Sequence, residues 1–434
     1  MMPRLEFVRV RATLVAAVAT LACPMAVSAQ SFAITGGRVY PVSGPVIENG
    51  TVLVRDGVIV AVGAGIPIPA DAQRIDATGK VVTPGLVNAA TQLTLVEIGA
   101  ISGTREYSAR GKDGIAAAFR PWEGLNPASV MISPARLAGV TSVVVVPQGG
   151  LISGQAAMVH LVQGGVSDMV LRAPVAMIAT LGAGDGDHPM PRAETIMRLR
   201  ELLDDARVYR ARRNDFERAQ TRSLAASRLD LEALLPVLDG RVPLLVVASK
   251  ASDIEAALRL AKEFSLKLII GDGTEAWQVA DQLRAAHVPV LTGAMNNIPQ
   301  GFSSLGMRQE NAGLLAKAGV TVGLIGNAGG GDEEAFNVRN IRFEAGNAVT
   351  YGMDWNAALR AITLTPAEVF GVADRIGSLS AGKIADIVIW SGDPFEFASQ
   401  PEKVYIRGQL VTQVSRQEML EGRYKTLPPD FKRQ

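Results

Sequence analysis

Three ionisable side chains follow two apolar segments that have the character of buried strands. Lys250 comes directly after the segment 244–249, while Asp272 and Glu275 follow the segment 268–271. Two carboxyl groups can act as general acid and general base, so Asp272 and Glu275 are candidate catalytic residues. Lys250 could supply a fixed positive charge or a nucleophilic amine. The preferred interpretations are nevertheless structural: Asp272 caps the following helix, and Lys250 is an ordinary exposed lysine.

The three histidines are the next candidates, because imidazole binds metals and transfers protons near neutral pH. His160 ends an apolar segment and is predicted to be a buried imidazole with a hydrogen-bond partner. His287 precedes a strand segment and is predicted to be structural. His188 lies in a loop with Asp185 and Asp187 that could bind a cation weakly, although a plain hydrophilic loop is preferred.

Two glycine-rich segments, residues 149–155 and 326–331, each follow an apolar strand segment. Backbone N–H groups in such turns can converge on an anion. Neither segment has the spacing of a dinucleotide-binding or phosphate-binding loop, so a tightly turning loop is the preferred interpretation. The two segments still mark the predicted ligand-binding face.

The composition is that of a large globular protein. The 434 residues are 48% hydrophobic and 20% charged, which allows a sizeable core and excludes disorder as the main state. The formal net charge is only +1, so the chain is not a general polyanion binder and no nucleic-acid partner is expected. The densest charged segment, residues 192–218, mixes both signs and is predicted to be a solvated helix face with intrahelical ion pairs.

Residues 1–29 are typical of a secretory signal peptide. Three arginines precede an apolar stretch at residues 12–22, and small residues at 27–29 form a cleavage site. Cleavage near Ala29 predicts a secreted or periplasmic protein that starts near Gln30 and has no membrane segment. A transmembrane anchor is the alternative, but the stretch falls short of the roughly 20 residues needed to span a bilayer. Lipid attachment at Cys23, the only cysteine, is a weaker alternative because Pro24 follows it.

The strand pattern changes twice along the chain. Short alternating strands are predicted at residues 32–34, 39–40, 51–55 and 58–62, and again at 387–390, 403–406 and 409–412. Between them, continuous apolar runs alternate with helical segments, as in a parallel sheet buried on both faces. Seven runs are clear, at residues 81–87, 140–146, 175–178, 244–247, 268–270, 288–291 and 320–325. An eighth is predicted around residues 156–161.

Two groups of motifs resemble the amidohydrolase superfamily. Residues 84–93, PGLVNAATQL, resemble the signature PGLIDAHTHL, with Ala90 and Gln92 in place of its two histidines. Near the other end, ALRA (358–361), TPA (365–367), IGSL (376–379), AGK (381–383) and ADIV (385–388) follow in the superfamily's order. The resemblance covers nearly the whole chain after the leader, and it is strongest to imidazolonepropionase-like and peptide-cleaving amidohydrolases.

The resemblance implies an α/β fold, a (β/α)8 TIM-like barrel with a small β-sandwich domain built from both ends of the mature chain. The implied domains are residues 81–375 for the barrel and residues 30–80 with 376–434 for the sandwich. In such barrels, ligands bind at the carboxyl ends of the strands.

The resemblance also implies a divalent-metal centre whose positions carry unusual residues here. Relatives hold zinc or another divalent metal with histidines and an aspartate at strand ends. This chain has Val247 or Ser249 after the fifth strand, Asp272 after the sixth and Asn327 after the eighth. An asparagine cannot act as the base that accepts the proton of a metal-bound water. No metal or other cofactor is therefore expected.

These residues leave two functional hypotheses open. The inherited reaction class is hydrolysis of C–N bonds in small substrates. The first hypothesis is a pseudoenzyme that binds a small molecule or forms a hetero-oligomer with an active paralogue. A homo-oligomer is also compatible with this hypothesis. The alternative is an active hydrolase with a metal-independent site that uses Asp272, Glu275 and Lys250. In either case four polar side chains are predicted to face the ligand: Gln92, Gln155, Ser249 and Asn327.

Overall fold

The computed structural model describes residues 31–109, 111–181, 184–185, 188–295, 299, 304–326 and 333–425. The predicted signal peptide lies outside these ranges, as do Asn327 and most of the glycine-rich segment 326–331. No helix within the described ranges is long and apolar enough to cross a lipid bilayer.

Strands occupy both ends of the chain and alternate with helices in between. The strands are β1 (Ser31–Val39), β2 (Ile47–Arg55), β3 (Val58–Gly63), β4 (Gln73–Asp76), β5 (Val81–Pro84), β6 (Leu86–Thr91), β7 (Val140–Val145), β8 (Ile152–His160), β9 (Val170–Thr180), β10 (Gly184–Asp185), β11 (His188–Pro189), β12 (Leu244–Ala248), β13 (Leu268–Asp272), β14 (Val290–Thr292), β15 (Val322–Leu324), β16 (Ile387–Trp390), β17 (Pro401–Ile406) and β18 (Gln409–Leu410).

The α-helices pack mainly around the central strands. They are α1 (Ile132–Leu137), α2 (Val166–Met169), α3 (Arg192–Ala211), α4 (Arg213–Glu217), α5 (Arg228–Leu238), α6 (Ala251–Phe264), α7 (Ala280–Ala285), α8 (Asn311–Lys317), α9 (Glu333–Phe336), α10 (Ile341–Thr350), α11 (Trp355–Ala361), α12 (Leu364–Val369) and α13 (Arg416–Tyr424). Short 3-10 helices occur at Ser102–Thr104, Pro121–Gly124, Ala276–Val279 and Val338–Asn340.

The two ends of the chain form one eight-stranded sheet. Its order is β18-β17-β16-β5-β1-β2-β3, and β4 pairs with β1. The rings of Phe32 on β1 and Tyr405 on β17 stack with centroids 4.8 Å apart, although two strands separate β1 from β17 in the sheet. Adjacent strands alone are about 4.8 Å apart, so the sheet curls over its own apolar core. The predicted sandwich built from both ends is confirmed.

The chain passes from this sheet into the barrel at Gly85. The sequence predicts one strand over residues 81–87, but β5 belongs to the curled sheet and β6 to the barrel. A β-carbon at Gly85 would lie 2.2 Å from Oγ1 of Thr141, so a glycine is required at this crossing. A continuous apolar run contains no signal for such a change of sheet, and the prediction of one strand is wrong.

The second sheet is the predicted eight-stranded barrel, in the order β6-β7-β8-β9-β12-β13-β14-β15. Most neighbouring strands are parallel, but β8 is antiparallel to both β7 and β9. Only residues 146–151 join β7 to β8, and a parallel crossover needs about a dozen residues or more. The expectation of a uniformly parallel sheet therefore fails at β8, whereas the barrel itself is confirmed.

Alternation along the strands divides the barrel into two apolar layers. Leu244 and Val246 of β12 pack outward against the helices, while Leu245 belongs to a separate inward cluster with Ile178 and Leu291. This period of two is what strands buried on both faces require. The inward cluster fills the centre of the barrel, so a site at either end of the barrel lies against this cluster.

The curled sheet joins the barrel at the amino ends of its parallel strands. Because β8 runs in the opposite direction, its last residue, His160, lies at this end. Nε2 of the buried His160 is 2.9 Å from Oδ1 of Asp386, which also accepts the N–H of Arg407 at 3.0 Å. The predicted buried histidine with a hydrogen-bond partner is confirmed.

Candidate functional site at the carboxyl end of the barrel

A cavity of about 330 Å³ opens at the carboxyl ends of the barrel strands, and we call it the carboxyl-end cavity. Most of its wall is apolar and continues the inward cluster of the barrel. Its apolar side chains are Ala90, Val146, Pro147, Ile178, Val247, Leu245, Leu291 and Ile325. Its polar side chains are Gln92, Gln148, Thr180 and Asp272.

An irregularity at the end of β6 aims Ala90 and Gln92 into the cavity. The register between β6 and β7 shifts between Asn88 and Thr91, as at a β-bulge, which re-aims the side chains that follow. Gln92 is 1% exposed and its Nε2 donates to the carbonyl of Val146 at 3.3 Å. Its Oε1 has no hydrogen-bond partner among the described residues. A buried acceptor without a partner is costly, so Oε1 of Gln92 is a candidate acceptor for a hydrogen bond from a ligand.

Asp272 supplies the carboxyl group of the cavity. It ends β13 with φ of 67°, in the left-handed region that non-glycine residues seldom adopt. The hydroxyl of Ser249 donates to Oδ2, and the hydroxyl of Thr274 donates to Oδ1 at 2.7 Å. Burial raises the pKa of Asp272, and the two hydroxyl groups oppose that rise. Asp272 therefore does not cap the following helix, and the structural interpretation preferred for it is wrong.

Glu275 is occupied in holding the backbone and does not line the cavity. Oε2 accepts the N–H of Ala251, the first residue of α6, at 3.0 Å. Oε1 accepts the N–H of Gly306 at 3.2 Å. Glu275 thus satisfies one of the free N–H groups at the start of α6. The structure does not bring it into the cavity as a partner of Asp272.

The remaining predicted site residues lie around the cavity. Ser249 does not line the cavity, but its hydroxyl group donates a hydrogen bond to Asp272, which does. Lys250 is half-buried at the N-cap position of α6 and is not a lining residue. Gln155 donates from Nε2 to the carbonyl of Ala117 at 3.0 Å, so it braces a loop instead of facing the ligand. Asn327 lies outside the described residues.

His160 and His287, the two histidines whose side chains are described, do not lie in the wall of this cavity. His160 joins the curled sheet to the barrel, as described above. His287 lies near the amino end of β14, at the end of the barrel opposite this cavity. The side chains of His188 and Asp185 lie outside the described part of the chain.

Two lining residues, Thr180 and Gln148, were not predicted. Thr180 ends β9, the fourth barrel strand, and Gln148 follows β7. Both stand at the carboxyl end of a barrel strand, which is the positional signal that could have identified them. The site thus contains amide, hydroxyl and carboxyl groups at the ends of four strands.

The donor set in this wall does not fit a divalent-metal centre of the kind the resemblance implies. A catalytic zinc needs three protein ligands with nitrogen, sulfur or carboxylate donors. The corresponding positions present a methyl group at Ala90, an amide at Gln92, an isopropyl group at Val247 and one carboxyl group at Asp272. Among the residues that the structure describes, no three His, Cys, Asp or Glu side chains are grouped to hold a metal ion.

Comparison with known proteins identifies the family. A profile of the amidohydrolase family matches residues 176–411, more than half of the chain, and the chain belongs to this family. Its members form a class of hydrolases that act on C–N bonds. The resemblance found in the sequence is thereby confirmed.

Individual relatives agree with this assignment. The amidohydrolase tasK of Hapsidospora irregularis is 24% identical over 392 residues, which cover 83% of this chain and 39% of that protein. The chain thus spans about two fifths of the length of that relative. An amidohydrolase from Thermotoga maritima MSB8 is 27% identical with a TM-score of 0.78, covering 88% of this chain and 100% of that one. A molinate hydrolase, 20% identical with a TM-score of 0.55, covers 88% of this chain and 95% of its own and shares the fold.

Proposed function

We propose that this member of the amidohydrolase family is a pseudoenzyme that binds a small, largely apolar molecule carrying an N–H group. The observation that carries the proposal is the unpartnered Oε1 of Gln92, buried in an apolar cavity where the family resemblance expects a metal ligand. An N–H donor from a ligand would satisfy this acceptor. The apolar walls would supply affinity through burial of hydrocarbon surface.

The size and chemistry of the cavity define the ligand further. A volume of about 330 Å³ lies at the small end of ligand-binding cavities. Asp272 lies in the same wall, and burial raises its pKa. When protonated, its carboxyl group can both donate and accept a hydrogen bond. A cyclic or acylated amide with an apolar substituent matches these groups.

The proposed loss of hydrolysis rests on the donor set. With Ala90, Gln92 and Val247 at strand ends, Asp272 is the one carboxyl group in the described wall of the cavity. After the eighth strand the sequence has Asn327, which cannot act as a general base. Export through the signal peptide would place the protein in the periplasm. There it would act as a homo-oligomer or beside an active paralogue.

A metal-independent hydrolase is the second candidate. The contact between the hydroxyl of Ser249 and the carboxyl group of Asp272 favours it, because a buried carboxyl group beside a hydroxyl group can act as a general acid or base, and burial shifts the pKa of Asp272 upwards. Turnover without metal that is abolished by Asp272→Asn would establish this candidate and overturn the pseudoenzyme.

The binding test uses the purified chain and 5-isopropylhydantoin, a cyclic amide with two N–H groups and an apolar substituent. We expect calorimetry to detect binding, and Gln92→Leu to weaken it about tenfold by removing the acceptor. Gln155→Leu is the matched control, since Gln155 is buried but does not line the cavity. Undiminished binding to Gln92→Leu, or no binding of this hydantoin and of N-acetyl dipeptides to the wild type, would overturn the proposal.

The hydrolysis test compares wild type with the double variant Ala90→His, Gln92→His. We expect neither protein to hydrolyse hydantoins or acyl dipeptides when zinc is added, because the fifth-strand and eighth-strand positions still lack ligands. Elemental analysis should find well under one zinc per chain after dialysis. Zinc-dependent turnover by either protein contradicts the loss of hydrolysis.

A further inference from the structure

A second and larger cavity, of about 1010 Å³, lies at the opposite end of the barrel, and we call it the amino-end basin. Its wall is formed by the first half of β9, by residues that precede or begin β12, β13 and β14, by one face of α6, and by the end of α12 and the turn after it. The family resemblance assigns no function to this end. The basin does not communicate with the carboxyl-end cavity, because the inward apolar cluster fills the barrel between them.

The basin collects positive charge in a chain that is almost neutral overall. Its wall contains five cationic side chains, namely Arg172, Arg241, Arg259, Lys262 and Lys267. It contains two carboxylates, and both have partners: Glu368 pairs with Arg360, and Glu255 accepts a hydrogen bond from Gln282. The formal net charge of the whole chain is only +1. Arg241 pairs with Asp239, so the local excess of positive charge comes from the other four cations.

Three of these cations lack the partners that arginines elsewhere on the surface have. On α3, every arginine forms an ion pair; the pairs include Arg192 with Asp253 and Arg200 with Glu263, each within 3 Å. In the basin, no carboxylate within the described part of the chain pairs with Arg259, Lys262 or Lys267. Cations that line a concave surface without counter-charges create a field that attracts anions.

We propose that the amino-end basin binds a small phosphorylated molecule. Lysine and arginine together favour phosphate, since a guanidinium group can bind it in a bidentate manner and an ammonium group adds point charge. The volume exceeds what a single phosphate needs. The half-buried Leu258, Leu266 and Val369 give the basin an apolar wall against which the rest of such a molecule would pack.

The test measures binding of inorganic pyrophosphate and of citrate to the full chain by calorimetry. We expect pyrophosphate to bind with a Kd of about 0.1 mM or lower at low ionic strength, and more weakly as salt is added. We expect citrate to bind several-fold less tightly, which separates phosphoryl recognition from a general attraction to anions. Equal affinity for the two anions, or no pyrophosphate binding, would overturn the proposal.

A matched pair of double variants locates the site. Lys262→Gln with Lys267→Gln removes two charges from the basin, and Lys317→Gln with Lys403→Gln removes two exposed charges elsewhere. The first pair should raise the Kd for pyrophosphate about tenfold, and the second should change it less than about twofold. A similar effect of both pairs would show binding by general surface charge and contradict the basin site.

Discussion

The two ends of the barrel differ in the number of their polar groups and in how far these groups are exposed to water. At the carboxyl end, polar atoms are few and enclosed by hydrocarbon, as with Oε1 of Gln92 and the carboxyl group of Asp272. At the amino end, cations are numerous and exposed to water around a larger basin. Enclosed polar groups select a ligand by hydrogen-bond geometry, whereas exposed charges attract it by sign and over a longer range. The two proposed sites thus use two kinds of recognition, and the apolar core of the barrel separates them.

The largest loss of stability should come from removing the contact between His160 and Asp386, which links the amino end of the barrel to the curled sheet. His160→Ala leaves the buried Asp386 without its side-chain partner, and we expect the free energy of unfolding to fall by about 3 kcal/mol. Urea titration measures this. His287→Ala, at an exposed position of the same end, should cost less than about 0.5 kcal/mol. An equal loss of unfolding free energy in the two variants would show that the contact between His160 and Asp386 does not stabilise the fold.

A smaller loss of stability is expected from removing the hydrogen bonds that Glu275 accepts near the carboxyl end of the barrel. Glu275→Ala removes the acceptor of two backbone N–H groups, those of Ala251 and Gly306, and should destabilise the fold by about 2 kcal/mol. Hydrogen exchange at Ala251 should accelerate as the start of α6 frays. The comparison variant is Glu255→Ala, whose carboxylate accepts a hydrogen bond from the side chain of Gln282. Unchanged exchange at Ala251 would rule out this role of Glu275.

A pH-dependent effect should identify the enclosed carboxyl group. Because burial raises the folded-state pKa of Asp272 above its unfolded value, this group binds more protons when folded. Its contribution to stability is therefore present at low pH and is lost as the pH rises through the folded-state pKa. Asp272→Asn cannot ionise, so its stability should gain on that of wild type as the pH rises above the ordinary carboxyl pKa of about 4. Parallel stability curves for the two proteins would mean that Asp272 titrates normally.

The smallest effect on stability should come from the basin. Lys262→Gln with Lys267→Gln should change the free energy of unfolding by less than about 0.5 kcal/mol, because exposed unpaired cations contribute little to the folded state. Thermal and urea unfolding would both report this. A loss comparable to that of Glu275→Ala would show that these lysines support the fold and are not free for a ligand.

The sequence predicted those features that depend on local pattern. The strand at Ile387–Trp390 forms at its predicted bounds, and the strand at Leu244–Ala248 ends one residue beyond its predicted end. Gln92 and Asp272 were found because a family motif or the end of an apolar segment marks a strand end. Such signals lie within a few neighbouring residues.

The features that were missed depend on contacts distant in sequence or on backbone angles. An apolar run does not encode the direction of its strand, so the antiparallel β8 could not be recognised. The left-handed backbone of Asp272 turns its side chain towards Ser249, and no local pattern distinguishes this from a helix cap. Similarly, Glu275 reaches Gly306 across a loop, a contact that only the folded chain creates.

The pairing of β5 with β16 has a consequence for how the protein is made. It joins residue 84 to residue 387, so this edge of β5 has no partner until about 300 more residues have been translated. A strand edge left open on a nascent chain is a template for wrong pairing with other chains. Synthesis from one end to the other therefore leaves the first sheet unfinished while the whole barrel emerges. A ribosome-bound fragment that stops short of β16 should need chaperone protection that the full-length chain does not.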